Sequence, residues 1–223
     1  MPYTLSPSSL SLLKDCPRCF WLQFNKDIRR PDSIFPSLPS GMDRILKEHF
    51  DRFMRKGELP PELQALDGEV KLFDDEALLK GWRDNRKGIR WQDDAGNLFR
   101  GAVDNILQKG EKLIVLDYKT RGYPVKEDTP DYYRDQLDIY NLLLRKNGCR
   151  TEDYAYLIFY HPKGVHQNGN VDFHAELVKM QVSIANAERI FREALSVLEG
   201  PLPQQSAACG FCRWADACSQ EKG

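Results

Sequence analysis

Two aspartates and a lysine stand at spacings that could place them around one metal ion. Asp117 and Lys119 directly follow the apolar run 113–116, and because side chains alternate along a strand, both should project from the same face. Turn-forming residues at 109–111 predict a hairpin that sets Asp104 about two positions from directly opposite Asp117. Such diagonal neighbours lie roughly 7–8 Å apart, so the two carboxylates could bind one divalent ion.

This arrangement would suit the hydrolysis of a phosphodiester. Mg²⁺ or Mn²⁺ can polarise the phosphodiester and lower the pKa of a bound water, while Lys119 would orient the nucleophile or stabilise charge on the phosphate. The alternative is a strand that ends in an ordinary surface Asp-Tyr-Lys, which the tripeptide alone does not exclude. The combination with Gly101-x2-Asp104 and a hairpin is rarer, and it favours the metal site.

Cysteines form a second candidate site. Five of the six stand near the ends of the sequence: Cys16, Cys19, Cys209, Cys212 and Cys218. In an intracellular-looking chain this usage indicates metal ligation or redox chemistry before disulfides. The three-cysteine tail could wrap one metal centre with a fourth ligand from elsewhere. A zinc site made of the two Cys-x2-Cys pairs competes with it and would leave Cys218 unused. The sixth cysteine, Cys149, is expected to be a buried thiol.

Length and charge limit the possible classes of protein. The chain has 223 residues, enough for one sizeable core, so we expect a single domain over 1–223. Its 32 Lys+Arg against 33 Asp+Glu give a net charge of -1, so binding to nucleic acid cannot be argued from overall basicity. We find neither a signal-peptide pattern nor an apolar run of roughly 18 residues, and we therefore expect a cytoplasmic protein without a membrane segment.

Hydrophobic periodicity predicts a mixed α/β fold. Capping residues and helical spacing predict helices over 7–15, 41–55, 132–146 and 186–198. Alternating or apolar runs predict strands over 69–73, 89–93, 98–107, 112–119, 154–160 and 171–182. The segment 56–67 has loop composition, and 76–88 is ambiguous. The order of these elements predicts an α/β fold with a mixed central β-sheet flanked by helices.

These motifs resemble the PD-(D/E)xK nuclease superfamily, specifically its RecB-like and AddB-like branch. The resemblance implies a restriction-endonuclease-like core in which Asp104 and Asp117 bind the metal and Lys119 is the catalytic lysine. It also implies a further metal contact from the main-chain carbonyl of Tyr118.

Two helices of that branch add expected site residues. A Gln-x3-Tyr helix follows the active strand, and Gln136 and Tyr140 match it here. The branch also carries a metal-binding histidine on an early helix, for which His49 is the candidate and Glu48 and Asp43 are substitutes.

The resemblance also extends to the cysteines. Some members of the branch hold a [4Fe–4S] cluster with one N-terminal cysteine and a C-terminal Cys-x2-Cys-x5-Cys. This pattern implies iron–sulfur ligation by Cys16, Cys209, Cys212 and Cys218, with residues 1–25 and 200–223 as the cluster subdomain. Cys19 is a departure from the pattern of these relatives.

The implied function is a Mg²⁺- or Mn²⁺-dependent deoxyribonuclease. The sequence is similar to the compact CRISPR-adaptation exonucleases, which implies an exonuclease on single-stranded or frayed DNA in repair, recombination or CRISPR-type processing. Two other classes stay open: a catalytically silent nucleic-acid-binding module with a structural iron–sulfur or zinc site, and an iron–sulfur redox protein. The intact acids and lysine favour the nuclease.

Overall fold

The protein is described by a computed structural model that covers residues 2–220. They form two compact units. The first comprises the chain up to Ile34, Gln92–Phe99 and the chain from Ala185 onward. The second comprises Phe35–Trp91 and Arg100–Ile184. The first unit is therefore built from both ends of the sequence and one short internal segment, and the second from the rest of its middle.

The described chain contains both helices and strands. The helices are α1 (Pro7–Asp15), α2 (Pro17–Lys26), α3 (Ser37–Lys56), α4 (Glu76–Arg83), α5 (Arg134–Lys146), α6 (Ile184–Glu199) and α7 (Gly210–Gln220). The strands are β1 (Thr4–Leu5), β2 (Lys71–Leu72), β3 (Ile89–Gln92), β4 (Leu98–Gly101), β5 (Asn105–Lys109), β6 (Lys112–Thr120), β7 (Tyr154–Val165) and β8 (Val171–Gln181). Short 3-10 turns cover Pro61–Leu66 and Thr129–Tyr133. No helix among residues 2–220 has both the length and the apolar character needed to cross a bilayer.

In the first unit, α1 begins as the sequence predicts. The backbone N–H of Ser9 donates to Ser6 Oγ at 3.3 Å, and the backbone N–H of Ser6 donates to Ser9 Oγ at 2.8 Å, so each residue satisfies a free donor of the other. Pro7 occupies the first helical turn, where its missing N–H has no cost. Cys16 then ends α1 and begins α2, because its N–H donates to Leu12 O and its own carbonyl accepts from Phe20 N. Helix α2 was not predicted.

The second unit contains a five-stranded sheet in the order β2–β5–β6–β7–β8. Its β5–β6 and β7–β8 pairs are antiparallel, and its β6–β7 pair is parallel. A parallel pair needs a crossover connection, and α5 lies in the connection between β6 and β7. The predicted mixed sheet with flanking helices is thereby confirmed. Strand β6 lies in the middle of this sheet, and its residues 113–118 are all buried.

Several predicted boundaries were wrong. The strand predicted over 98–107 is two strands, β4 and β5, which belong to different sheets; the chain leaves β4 at residue 102, and the N–H of Val103 donates to Trp82 O at 3.2 Å. Helix α3 begins at Ser37 rather than at 41, because Pro39 falls in its first turn, where a proline is tolerated.

The structure also assigns elements to segments that the sequence left open, and it lengthens one predicted strand. The ambiguous segment 76–88 contains α4, which Asp75 caps by accepting from the N–H of Leu78 at 2.9 Å. Strand β7 continues past the predicted end at 160 to Val165, because β8 pairs with it along its whole length. The tail, for which no helix bounds were predicted from the sequence, contains α7.

Candidate active site and four-cysteine group

The two predicted aspartates meet at the edge of the β5–β6 hairpin. The last pair before the break is Asn105 opposite Leu116, so Asp104 follows in register directly opposite Asp117 rather than two positions away as predicted. The reason is the position of the turn, which lies between Gly110 and Glu111 and gives Gly110 a φ of 57°. The carboxylate of Asp104 accepts the backbone N–H of Tyr118 at 2.9 Å.

Asp117 and Lys119 share one face of β6, as alternation along a strand predicts. Lys119 Nζ lies 2.5 Å from Asp117 Oδ2 and donates to Gln136 Oε1 at 3.0 Å. The side chain between them, Tyr118, points to the other face, where its hydroxyl accepts from Asn105 Nδ2 at 2.7 Å. The metal contact expected of the Tyr118 main-chain carbonyl stays a prediction.

Helix α5 brings its Gln-x3-Tyr pair to these residues. Gln136 Nε2 lies 3.3 Å from Asp117 Oδ1 and 2.7 Å from the hydroxyl of Tyr140. Gln136 therefore contacts both Asp117 and Lys119 through its two amide atoms. The structure thus brings together five of the residues named from the sequence: Asp104, Asp117, Lys119, Gln136 and Tyr140.

Gly101 is required by the ring of Tyr140. A Cβ at position 101 would lie 2.7 Å from Tyr140 Cε1 and 3.1 Å from Leu143 Cδ1, well inside van der Waals contact. We expect Gly101→Ala to lower the free energy of unfolding by about 1–3 kcal/mol, the usual cost of overpacking. Urea denaturation followed by circular dichroism would measure it. Gly122→Ala is the matched control, because a Cβ there meets nothing within 4 Å; equal losses in the two variants would contradict the close packing.

Helix α3 supplies a third carboxylate, Asp43. Lys47 Nζ lies 2.8 Å from Asp43 Oδ1 and 3.1 Å from Asp104 Oδ1, so one ammonium bridges the two acids. Asp43 was only a substitute in the sequence analysis, and Lys47 was missed. Their i, i+4 spacing on a helix with a buried face was the available signal.

The predicted ligand His49 has other partners. Its Nε2 lies 3.2 Å from Glu62 Oε2, and its ring packs edge-on against Phe50 and Phe53. His49 follows Asp43 by six residues, which places it about 120° around the helix from Asp43. The second substitute, Glu48, is exposed and pairs with Arg44 at 2.9 Å. The geometry therefore favours Asp43 over both as the residue of α3 beside the acids.

Arg83 was also missed by the sequence analysis. Its Nε donates to the main-chain carbonyl of Asp104 at 2.7 Å, and its Nη1 pairs with Asp51 at 2.7 Å. Arg83 thus fixes the backbone of Asp104 at the break between β4 and β5. Nothing in the sequence pattern connects a residue of α4 with this carbonyl.

Burial and crowding of like charges perturb the acids. Burial, together with the charge of Asp104, raises the pKa of Asp117 to about 7. Burial and Asp104 likewise raise the pKa of Asp43, although Lys47 opposes the shift. Burial alone would lower the pKa of Lys119, but Asp117 and Asp104 raise it above its ordinary value. Such mutual repulsion among acids is relieved when they share a cation.

These residues fit a divalent metal ion. Three carboxylates are hard oxygen donors of the kind that Mg²⁺ and Mn²⁺ prefer. Asp117 Oδ2 is buried and has Lys119 Nζ at 2.5 Å, while the charge of Asp104 acts on the same carboxylate. A divalent cation beside the acids would offset the repulsion between them.

In the first unit, four cysteines form a compact set, which we call the four-cysteine group: Cys16, Cys19, Cys209 and Cys212. Their sulfur atoms all lie within 4.8 Å of one another. The group joins the N- and C-terminal segments, as expected. It contains Cys19 where the family pattern implied Cys218, and Cys218 is exposed. Burial raises the pKa of Cys16, but the backbone N–H of Ser206 and the neighbouring thiols lower it to about 6.

The comparison with known families agrees with the site. Residues 35–219 match the family model of the PD-(D/E)XK nuclease superfamily. The match covers well over half of the sequence, and the chain belongs to this superfamily. Membership implies a nuclease, hence a hydrolase that acts on nucleic acid, and such nucleases usually use divalent metals.

Other comparisons add little. The chain is similar to the crystal structure of SSO0001, with 14% sequence identity, a TM-score of 0.43, and coverage of 99% of this chain and 87% of that chain. This similarity is too distant to support any statement about function. No match was found among curated proteins.

Proposed function

We propose that the chain is a metal-dependent deoxyribonuclease whose Mg²⁺ or Mn²⁺ ion is held by Asp43, Asp104 and Asp117, with the main-chain carbonyl of Tyr118 as a further ligand. The observation that carries this proposal is the convergence of three carboxylates: Lys47 bridges Asp43 and Asp104, and the charge of Asp104 acts on Asp117. A binding module has no need to hold three acids together at a cost in repulsion.

The metal would supply polarisation of the phosphodiester and a water of lowered pKa. Lys119 is expected to act as a hydrogen-bond donor, because its Nζ lies 2.5 Å from Asp117 Oδ2 and already donates to Gln136 Oε1. From that atom it can donate to the attacking water or to a phosphate oxygen as charge develops there.

Gln136 and Tyr140 act as positioning residues. The amide of Gln136 holds Lys119 through its oxygen and Asp117 through its nitrogen, while the Tyr140 hydroxyl accepts from the same nitrogen. The aromatic ring of Tyr133 lies 4.5 Å from Lys119 Nζ and favours the charged ammonium. Lys119 is thus confined on several sides before substrate binds.

The finer proposal is an exonuclease on single-stranded or frayed DNA, in repair, recombination or CRISPR-type processing. It rests on the sequence resemblance described above. Circular substrates test it directly, because an exonuclease needs an end.

The test uses the full chain with linear single-stranded, linear double-stranded and circular single-stranded DNA, in Mn²⁺, in Mg²⁺ and in excess EDTA. We expect cleavage of linear single strands with either metal, none in EDTA, and circles left intact. Cleavage that persists in EDTA would overturn the metal mechanism. DNA binding without any cleavage would instead identify the silent binding module, and cleavage of circles would identify an endonuclease.

A further inference from the structure

The four-cysteine group does not fit the iron–sulfur cluster that the family pattern implies. We infer that Cys16, Cys19, Cys209 and Cys212 form a mononuclear tetrahedral metal site of the zinc type, to which Cys218 does not belong. This inference concerns the first unit and is independent of nuclease activity.

The distances between the sulfur atoms carry the inference. Sγ of Cys19 lies 3.5 Å from Sγ of Cys212 and 3.7 Å from Sγ of Cys209, and Sγ of Cys16 lies 3.8 Å from Sγ of Cys212. A zinc–thiolate bond of about 2.3 Å gives a tetrahedron with edges of about 3.8 Å. A cubane places four irons and four sulfides among its ligands, and its thiolates therefore lie much farther apart.

The two Cys-x2-Cys pairs are placed alike on two helices. Cys16 precedes α2 and Cys209 precedes α7, and the carbonyl of each accepts the first helical hydrogen bond, from Phe20 N and Arg213 N. Cys19 and Cys212 lie in the first turn of the corresponding helix. Each pair therefore presents two sulfurs at a helix N-terminus, where the positive end of the helix dipole favours thiolates.

Helix α7 also explains why Cys218 is excluded. Cys218 follows Cys212 by six residues on this helix, which places it about 9 Å further along the axis and about 120° around it. The tail would have to be non-helical after Cys212 for Cys218 to turn back to the other sulfurs.

Positively charged and hydrogen-bond-donating groups lie beside the sulfur atoms and would stabilise the negative charge of such a site. Four thiols that bind one divalent ion release their protons to solvent, and the site then carries a net charge of -2 by ligand count. Arg30 Nη2 lies 3.7 Å from Cys209 Sγ, and the backbone N–H of Ser206 donates to Cys16 Sγ at 3.5 Å. Both contacts stabilise anionic sulfur, and they provide the surroundings that orient a metal–thiolate site.

The first arm of the test measures the metal of the wild-type protein. The full chain is expressed with both iron and zinc salts and is purified under anaerobic conditions, so that oxidation cannot remove iron. We expect elemental analysis to find about one zinc per chain, without iron, acid-labile sulfide or the visible absorbance of an iron–sulfur chromophore. Iron and sulfide in stoichiometric amounts would overturn the inference, as would a reduced protein that takes up neither Zn²⁺ nor Co²⁺.

The second arm identifies the ligands with a matched pair of variants. Cys19→Ser is expected to lose most of its bound zinc, whereas Cys218→Ser should keep the wild-type content. The reverse result would restore the Cys218 set. If Cys19→Ser does not fold, the Co²⁺-loaded Cys218→Ser protein decides: tetrahedral thiolate bands equal to those of the wild type support the site, and their loss refutes it.

Discussion

Replacing Asp117 with asparagine is expected to lower kcat/KM for DNA cleavage by at least about 10³-fold, or about 4 kcal/mol of transition-state stabilisation. The substituted amide would keep the shape of the side chain and an oxygen that can accept from Gln136. It would lose the negative charge that pairs with Lys119 Nζ at 2.5 Å and that we propose as a metal ligand. Burial disfavours the charged form of Asp117 and raises its pKa. The carboxylate therefore depends on nearby cations to stay charged.

The effect should be measured with single-stranded DNA over a series of Mn²⁺ concentrations. Asp94→Asn is the matched control, because Asp94 is exposed in the turn between β3 and β4 and should leave cleavage unchanged. Circular dichroism and thermal denaturation would verify that both variants are folded. A folded Asp117→Asn protein that cleaves within about threefold of wild type would show that the reaction takes place elsewhere.

The second large effect is expected for Asp43→Asn, whose loss of DNA cleavage should far exceed that of His49→Gln. We expect Asp43→Asn to reduce cleavage by about 10²-fold and to raise the Mn²⁺ concentration needed, since the carboxylate shares Lys47 with Asp104. His49→Gln should cost less than about threefold, because the imidazole is held by Glu62 at 3.2 Å and a glutamine can still hydrogen-bond there.

The same Mn²⁺ series distinguishes the two residues. A loss of metal affinity in Asp43→Asn, with His49→Gln close to wild type, would support the assignment made from the contacts. The opposite pattern would make His49 the ligand of α3, as the family resemblance implied, and would require this helix to rotate when metal binds.

Much of the active strand could be predicted from the sequence, because it depends on local rules. An apolar run of four residues before Asp117 predicts a buried strand, and alternation then fixes Asp117 and Lys119 on one face. The helical spacing of Gln136 and Tyr140 likewise predicts a shared face. Both predictions agree with the contacts of the described chain.

The remaining differences between the predicted and the observed contacts involve non-local or end-dependent features. The register of Asp104 depends on which residues form the turn, and the composition of 109–111 allowed more than one centre. The choice between Asp43 and His49 depends on which polar residue of α3 points toward the acids, and periodicity alone describes its apolar face. Cys218 was preferred over Cys19 because of the family resemblance and the three-cysteine tail, whereas the described chain groups Cys19 with the other sulfurs and places Cys218 near the end of α7.

The composition of the first unit has a consequence for biosynthesis. Cys19 and Cys209 are separated by 190 residues, and the intervening chain contains the whole sheet of the second unit. Domains fold as they emerge from the ribosome, the N-terminal parts first. The nuclease strands can therefore pair during translation, whereas α1 and α2 must wait for Cys209 and Cys212 to be synthesised. During this interval Cys16 and Cys19 lack the sulfur neighbours that they have in the complete unit.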